Sequence, residues 1–361
     1  MWEFCVFSES AYRIPESAAR VPKIPVQPIG YAEAEQLLRM MTGDTAPPDW
    51  QGGLNPQYRL GPGFQNDRDE LHMRVFTTNQ EVYTYNVVGT LYGSEEKGKD
   101  RYVVMGNHRD AWILGALDPS SGTAALMEIA RAFATFKSRG IRPRRSVVFC
   151  SWGAEEYGLV GSTEWVEEHA GVLSQRTVVY LNVDMSLDGN DTLRAMGVPL
   201  MYSSLYDAAR RVGNPNPNEI AEGRKTVFDT WLHYYKSDED PNLPQVWGIG
   251  GGSDYKTFVH YLGIPSIDIR YTSNSSVGGY PLYHTLYETY HLVTGLMDEG
   301  ARFMRATAQM WAEMARNFAD AAFLPLDARD YAAFLDRRFR VIETSYGENF
   351  TQHDLNLGMY D

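Results

Sequence analysis

The sequence predicts an α/β fold with a mixed, mostly parallel sheet that is flanked by helices. Apolar runs of strand length alternate with amphipathic runs of helix length from residue 102 onward, which is typical of parallel strands joined by helices. Three of the apolar runs end in acids or histidines. These residues are expected at the carboxyl edge of the sheet, where open α/β sheets bind ligands. With 361 residues, of which 43% are hydrophobic, the chain is long enough to bury a sizeable core.

The individual elements follow from the periodicity and from the residues that break helices and strands. Prolines interrupt residues 1–30, a Gly- and Pro-rich loop covers 43–63, and alternation predicts two strands over 71–79 and 82–92. The remaining strands are predicted at 102–105, 144–151, 178–183 and 264–271, and the helices at 31–41, 122–136, 162–173, 203–212 and 298–323. We expect Ser120 or Ser121 to cap the second of these helices, and Ser162 or Thr163 the third.

Charge and composition argue against several functions. The formal net charge of −13 disfavours binding to nucleic acid or to an anionic membrane surface. No apolar run approaches the roughly 20 residues that span a bilayer, and the opening MWEFCVFSES is not a clear signal peptide. The two cysteines, Cys5 and Cys150, can form neither a disulfide framework nor a thiolate metal site, and Cys150 is expected in the core.

Three N-glycosylation sequons begin at Asn190, Asn274 and Asn349. Such triplets often arise by chance, but three of them mildly favour an ectodomain that passes through the secretory pathway. The lack of a transmembrane or targeting segment in the sequence points the other way.

Carboxylates and histidines accumulate where the predicted strands end. They are His108, Asp110, Asp118, Glu155, Glu156 and Asp184, and a later loop adds His284. A polar loop after a core strand is the alternative for any one segment. Charged groups at one sheet edge would repel each other unless cations neutralise them, and this set suits two divalent ions such as Zn²⁺ that share a bridging carboxylate. Because the side chains of adjacent glutamates diverge, one can ligate while the other acts as a general base.

Four motifs resemble one family of peptidases. The segments NHRDAWILGALDPSSG, SWGAEEYGLVGSTEW, YLNVDMSLDGN and GYPLYHTLYETY are similar to motifs of the glutamate carboxypeptidase II family of co-catalytic zinc peptidases, also called N-acetylated-α-linked acidic dipeptidases. The resemblance spans about residues 11–340. It implies the zinc exopeptidase fold, of the phosphorylase/hydrolase-like type, and metal-assisted hydrolysis of peptide bonds.

The resemblance also implies roles for individual residues. His108 and Asp184 would hold one zinc, Glu156 and His284 would hold the other, and Asp118 would bridge them. Glu155 matches the general base, and Asp110 matches an acid that orients His108. Glu164 and Glu167 match ligands of a structural calcium, although the alternative for this pair is an exposed helix face.

Further matched positions concern the substrate. Ser253 and Asp254 lie in a glycine-rich loop that the family places by the substrate groove, and Tyr283 matches the pocket wall. Arg194 and Arg270 match two arginines that hold an acidic substrate residue in acid-selective members.

At the third matching arginine position this chain has Asp268. A carboxylate there would repel an acidic substrate and could pair with a free α-amino group, which predicts aminopeptidase-like activity on neutral or varied peptides. An ordinary salt bridge between Asp268 and Arg270 is the alternative explanation.

The resemblance implies a domain organisation as well. Residues 1–82 would be a remnant of an apical, protease-associated domain, 83–322 the zinc peptidase domain, and 323–361 the start of a helical dimerisation domain, so the chain is expected to be partial. Members of the family are homodimeric type II membrane ectodomains at the cell surface. The expected partner is a peptide substrate, and binding to nucleic acid is not expected.

Three other functions compete with this prediction. One is a glutamate-releasing acidic dipeptidase, which is a carboxypeptidase. Another is a catalytically inactive binding module like the transferrin receptor, which has a similar fold without the zinc ligands, whereas this chain keeps every ligand position. A two-metal nuclease or phosphatase is disfavoured because the sequence shows no basic groove.

Overall fold

A computed structural model describes residues 15–18, 22–78, 80–96, 98–274 and 279–353. These residues fall into two compact units, one within Tyr12–Tyr83 and the other within Thr84–Asp361. The first unit contains helix α1 (Tyr31–Met40) and short 3₁₀ turns at Glu16–Ala18 and Pro48–Trp50. The second unit contains the sheet and all of the predicted metal ligands.

The second unit is built on a sheet that has six strands in the described residues, in the spatial order β1-β3-β2-β4-β6-β5. The strands are β1 (Val87–Leu91), β2 (Tyr102–His108), β3 (Ser146–Trp152), β4 (Thr177–Asn182), β5 (Thr192–Gly197) and β6 (Ser266–Thr272). The four inner strands are parallel, and β1 and β5 pair antiparallel at the two edges. The mixed, mostly parallel sheet predicted from the sequence is therefore confirmed.

Helices cover the sheet, as the alternating pattern predicts. They are α2 (Ser120–Ser138), α3 (Val160–Glu168), α4 (Ala170–Arg176), α5 (Tyr202–Arg211), α6 (Pro217–Ala221), α7 (Val227–Tyr234), α8 (Arg302–Asp320) and α9 (Ala328–Gln352), with 3₁₀ and π-helical turns at Pro199–Met201, Thr257–Tyr261 and Leu292–Met297. None of the helices in the described residues combines the length and the apolar character needed to cross a membrane.

Helix α8 anchors one face of the sheet. Its apolar residues recur at helical spacing and are buried, including Met310, Trp311 and Met314. The Trp311 indole N–H donates to the main-chain carbonyl of Leu181 in β4 at 3.1 Å. This bond satisfies a buried donor and fixes α8 against the strand that precedes Asp184.

Several local predictions were wrong. The segment 71–78 forms no strand, because alternation alone does not make a strand without a neighbour to complete the hydrogen-bond ladder. The helix predicted at 162–173 is two helices, because the backbone of His169 leaves helical geometry (φ −102°, ψ 11°). The helix caps also differ, since Pro119 precedes α2 and Leu159 precedes α3.

The predicted position of Cys150 agrees with the structure, whereas Cys5 lies outside the described residues. Cys150 is buried in β3. Strand β5 and helices α6 and α7 were not predicted, whereas α9 lies in the segment 323–361 that the resemblance implies to be helical. Strand β5 provides the antiparallel edge next to β6.

The α8 contact gives a stability test. Met310 is fully buried, so Met310→Ala should lower the free energy of unfolding by about 2–5 kcal/mol in urea denaturation of the metal-free protein. Met127→Ala on α2 is the control, since Met127 is 69% exposed and its loss should change the same quantity by no more than about 0.5 kcal/mol. Equal effects at the two positions would contradict this packing.

Candidate metal centre

The carboxyl ends of the parallel strands bring the predicted metal ligands together. His108 ends β2, and the acids that follow β3 and β4 lie beside it. In the described part of the chain, two groups of potential ligand atoms form here, and within each group the atoms lie within 4.8 Å of one another. The groups are His108, Glu155 and Asp184, and Asp118, Glu156 and His284.

Asp118 lies between the two groups. Its Oδ1 is 3.1 Å from His108 Nε2, and its Oδ2 is 3.2 Å from His284 Nε2. His284 Nε2 is also 3.2 Å from Glu156 Oε2, and His108 Nε2 is 3.3 Å from Asp184 Oδ1. One carboxylate thus faces a histidine nitrogen of each group, which is the arrangement that a bridging ligand requires.

Asp110 orients both the histidine and the pair of glutamates. Its main-chain carbonyl lies 3.0 Å from His108 Nδ1, and accepts the proton of that nitrogen. Its carboxylate accepts the main-chain N–H groups of Glu155 at 2.9 Å and Glu156 at 3.1 Å. The Asp110 carboxylate is also 3.8 Å from His108 Nδ1, so the predicted role of this acid in orienting His108 stays a prediction.

The electrostatics of the cluster favour a positive charge at its centre. Burial would lower the pKa of His108, but the nearby Asp184 and Asp118 carboxylates raise it to about 12. Burial and the charge of Asp184 raise the pKa of Glu155 to about 9. Burial and the charge of Asp118 raise the pKa of Glu156 to about 7. Protons relieve the crowding of carboxylates when no cation is present, and bound cations would relieve it in the same way.

Two buried oxygens at this centre accept no well-directed hydrogen bond. They are Asp118 Oδ1, which faces His108 Nε2 at 3.1 Å, and Glu156 Oε1. Buried carboxylate oxygens are normally satisfied. Because the donor set is imidazole nitrogen and carboxylate oxygen, which are ligands that suit Zn²⁺, the residues present fit divalent cations.

Neighbouring residues hold Asp184 in place. The Ser253 hydroxyl donates to Asp184 Oδ2 at 2.6 Å, and the Asn107 amide donates to the Asp184 main-chain carbonyl at 2.8 Å. Gly122 in α2 passes so close that a Cβ there would lie 2.6 Å from the same carbonyl oxygen. The start of α2 therefore requires glycine at this position, since any other residue would displace Asp184.

A cavity of about 520 Å³ opens beside Asp184. Of the residues predicted to contact substrate, four line it: Ser253, Asp268, Arg270 and Tyr283. Arg194 and Asp254 do not. The Arg194 guanidinium lies over the Trp247 ring at 5.6 Å, and Asp254 is buried against the Ser162 hydroxyl.

The cavity is less basic than the matched arginines predicted. Arg270 Nε lies 2.7 Å from Asp188 Oδ2, so its charge is compensated. The Asp268 carboxylate accepts the Asn182 amide at 2.8 Å, and burial raises its pKa to about 6. The salt bridge considered for Asp268 and Arg270 is therefore replaced by an ion pair between Arg270 and Asp188.

The remaining predicted positions lie away from this centre. Glu164 and Glu167 are exposed on α3, and the structure groups no third ligand with them in the described residues. Asn190, Asn274 and Asn349 are exposed, and the Asn190 amide donates to the Met297 carbonyl at 2.9 Å. Calcium binding and glycosylation at these positions stay predictions.

Sequence reasoning missed residues whose importance depends on distant contacts. Asp188 lies four residues after Asp184 in the same motif, but only the fold shows that it meets Arg270. Glu288 is buried in the motif that contains His284, and its carboxylate accepts the main-chain N–H of Asp118 at 3.3 Å. The apolar setting of a lone glutamate in YETY was the available signal.

Comparison with known proteins identifies relatives over nearly the whole chain. Residues 86–308 match the model of peptidase family M28. The chain is 39% identical over 355 residues to aminopeptidase NAALADL1 of Rattus norvegicus, covering 95% of this chain and 47% of that protein. It is 42% identical over 323 residues to a glutamate carboxypeptidase 2 homolog of Caenorhabditis briggsae, covering 88% of this chain and 41% of that protein.

The chain therefore spans about half the length of these curated relatives. Among solved structures, it is similar to an aminopeptidase from Aneurinibacillus sp. strain AM-1, with 22% identity and a TM-score of 0.46. That similarity covers 67% of this chain and 49% of the aminopeptidase.

The raised pKa values predict how the metal-free protein responds to pH. Glu155 and Glu156, with pKa values of about 9 and about 7, bind protons more tightly in the folded chain than in the unfolded chain. Such groups stabilise the fold fully below the unfolded pKa, and this stabilisation is lost as pH rises through the folded pKa. The thermal unfolding temperature of chelator-treated protein should therefore decrease as the pH rises from about 5 to about 9.

Added zinc should raise the thermal unfolding temperature more at the upper end of that pH range, because the ligands must lose protons to bind metal. The double variant Glu155→Gln, Glu156→Gln serves as the control and should flatten the pH dependence of the metal-free protein. A thermal unfolding temperature of the metal-free wild-type chain that rises with pH would contradict this description of the cluster.

Proposed function

This chain belongs to peptidase family M28, and from that premise we propose that it provides the catalytic centre of a two-zinc exopeptidase with aminopeptidase-like preference. The observation that supports the proposal most directly is the pair of ligand groups that Asp118 joins. Two buried oxygens in that pair, Asp118 Oδ1 and Glu156 Oε1, accept no well-directed hydrogen bond and add to it.

In the proposed site, His108 and Asp184 would hold one ion, Glu156 and His284 would hold the other, and Asp118 would be shared by the two. When bound, the ions would supply Lewis-acid polarisation of the scissile carbonyl and would lower the pKa of the attacking water. Glu155 would accept the proton of that water and transfer it to the leaving amine. Asp110 would keep Glu155 in place through the hydrogen bond to its main-chain N–H.

The proposed preference for a free amino terminus depends on Asp268. Its carboxylate lines the cavity, and the Arg270 guanidinium, whose charge lowers the pKa of Asp268, is itself ion-paired with Asp188. With a pKa of about 6, Asp268 would be charged at neutral pH and could hold an α-ammonium group. A substrate carboxylate in the same place would be repelled.

The family resemblance also implies properties beyond the metal centre, which we propose for this chain. Exposed asparagines at the three sequons and exposed Glu164 and Glu167 are compatible with a glycosylated, calcium-binding ectodomain. A homodimer at the cell surface would follow from the family resemblance. Mass spectrometry of the chain from a secreting host would test the glycans, and calcium titration of Glu164→Gln would test the cation.

The role of Glu155 can be separated from metal binding. Glu155→Gln should reduce kcat on free-amine dipeptides by about 10²–10⁴-fold, because it removes the proton acceptor. Zinc content should stay at the wild-type level, since the ligands proposed for the ions are intact. Glu168→Gln, at an exposed position on α3, is the control. A rate within a few-fold of wild type for Glu155→Gln would contradict its assignment as the base.

The role of Asp268 can be tested with an isosteric change. Asp268→Asn keeps an oxygen for the Asn182 amide but loses the charge, so KM for a neutral dipeptide with a free amine should rise about 10-fold, as expected for the loss of one charged hydrogen bond. The rate on an N-acetylated acidic dipeptide should not fall. Asp207→Asn, 63% exposed on α5, is the control. Preference of the wild-type chain for the N-acetylated acidic peptide would favour the acidic dipeptidase function instead.

A further inference from the structure

One buried carboxylate outside the ligand set connects the two loops that supply the second ligand group. Glu288 is only 2% exposed. Its Oε1 accepts the main-chain N–H of Asp118 at 3.3 Å and also the hydroxyl of Tyr280. The main-chain carbonyl of Glu288 accepts the N–H of Ala116 at 3.2 Å. Glu288 therefore contacts the Asp118 loop through both its side chain and its backbone.

The same carboxylate closes the loop that contains His284. Tyr280 and Glu288 lie at the two ends of this loop, and their side-chain hydrogen bond joins those ends. Burial raises the pKa of Glu288, whereas the Tyr280 hydroxyl and the main-chain N–H groups of Asp118 and His284 stabilise its charged form. These donors converge on a single carboxylate, so its orientation is determined by both loops.

The backbone of His284 needs such support. Its φ of +57° is in the left-handed region, which a residue with a Cβ adopts rarely and keeps only where its surroundings hold it. The Tyr283 ring stacks on the imidazole at a centroid distance of 3.6 Å, but Tyr283 is half exposed. On its inner side the loop packs Leu282 against the core, and its buried hydrogen-bonded contact with the Asp118 loop is made through Glu288.

We propose that Glu288, held by the Tyr280 hydroxyl, is a positioning residue. It sets the distance between Asp118 and His284 and thereby the affinity of one of the two ion sites. Glu288 belongs to neither ligand group, so it acts through the two ligands rather than on the ion. The inference rests on the proposed two-zinc function. The ion held with His108 and Asp184 shares only Asp118 with these loops, and Ser253 and Asn107 hold Asp184, so its affinity should change less.

The test compares metal binding by the full chain and by three variants. Glu288→Ala removes the acceptor, Tyr280→Phe removes only the hydroxyl, and Glu288→Gln keeps one acceptor oxygen. Glu219→Gln is a matched control, because Glu219 is also buried and also accepts a tyrosine hydroxyl, that of Tyr234 at 2.9 Å. Zinc dissociation constants are measured by competition with a chromophoric chelator, and the Co²⁺ absorption spectrum reports the ligand geometry.

We expect Glu288→Ala to weaken one of two zinc sites by about 10–100-fold, as removal of groups that orient metal ligands does, and to change the Co²⁺ spectrum. Tyr280→Phe should weaken the same site less, and Glu288→Gln should recover part of the loss. Glu219→Gln should leave both constants unchanged. If Glu288→Ala does not fold, the folded Tyr280→Phe and Glu288→Gln proteins still decide the outcome.

Two unaltered zinc constants in folded Glu288 and Tyr280 variants would overturn this inference and leave the proposed function intact. A wild-type chain that binds no zinc would instead overturn the proposed function. A fall in thermal stability that is the same with and without zinc would show that Glu288 is merely structural, and would also overturn the inference.

Discussion

Mutual repulsion among buried carboxylates is the constraint on which the rest of this structure depends. Asp118, Glu155, Glu156 and Asp184 come together at one edge of the sheet with two imidazoles. In a partly desolvated site such charges cannot all remain ionised without compensation. Protons provide that compensation in the metal-free chain, and the pKa values of about 9 and about 7 for the two glutamates reflect it. Divalent cations would provide it in the working protein.

The scaffold forces these groups together through ordinary features of a parallel sheet. Neighbouring strands β3, β2 and β4 run in the same direction, so the residues that follow them share one edge. Asn107 and Gly122 then bring the start of α2 against Asp184. The Asp110 carboxylate aligns the two glutamates through their backbone. The core of the unit, including Trp311 on α8, supports the strand that precedes Asp184.

Much of this arrangement could be predicted from the sequence, because strand-end residues such as His108 and Asp184 follow apolar runs that the periodicity identifies. The family-specific motifs then connected His284, from a distant loop, to the same site. What could not be predicted depends on long-range contacts. The hydrogen bonds of Asp110, the pairing of Arg270 with Asp188 and the contact of Glu288 with Asp118 join residues whose spacing in sequence has no regular pattern. The strand expected at 71–79 shows the converse, because in its described part, 71–78, an alternating pattern without a partner strand forms no strand.

In the proposed enzyme, the residues that would select the substrate are largely distinct from those that would hold the ions. Asp268 and Arg270 line the cavity, and of the two ligand groups Asp184 is the member that lines it as well. The central claim is that two ions share Asp118. Anomalous difference maps at the zinc edge, from crystals of this chain, test it most directly. We expect two peaks roughly 3.5–4 Å apart, one beside His108 and Asp184 and the other beside Glu156 and His284, with Asp118 between them. A single peak, or peaks that Asp118 does not contact, would contradict the account.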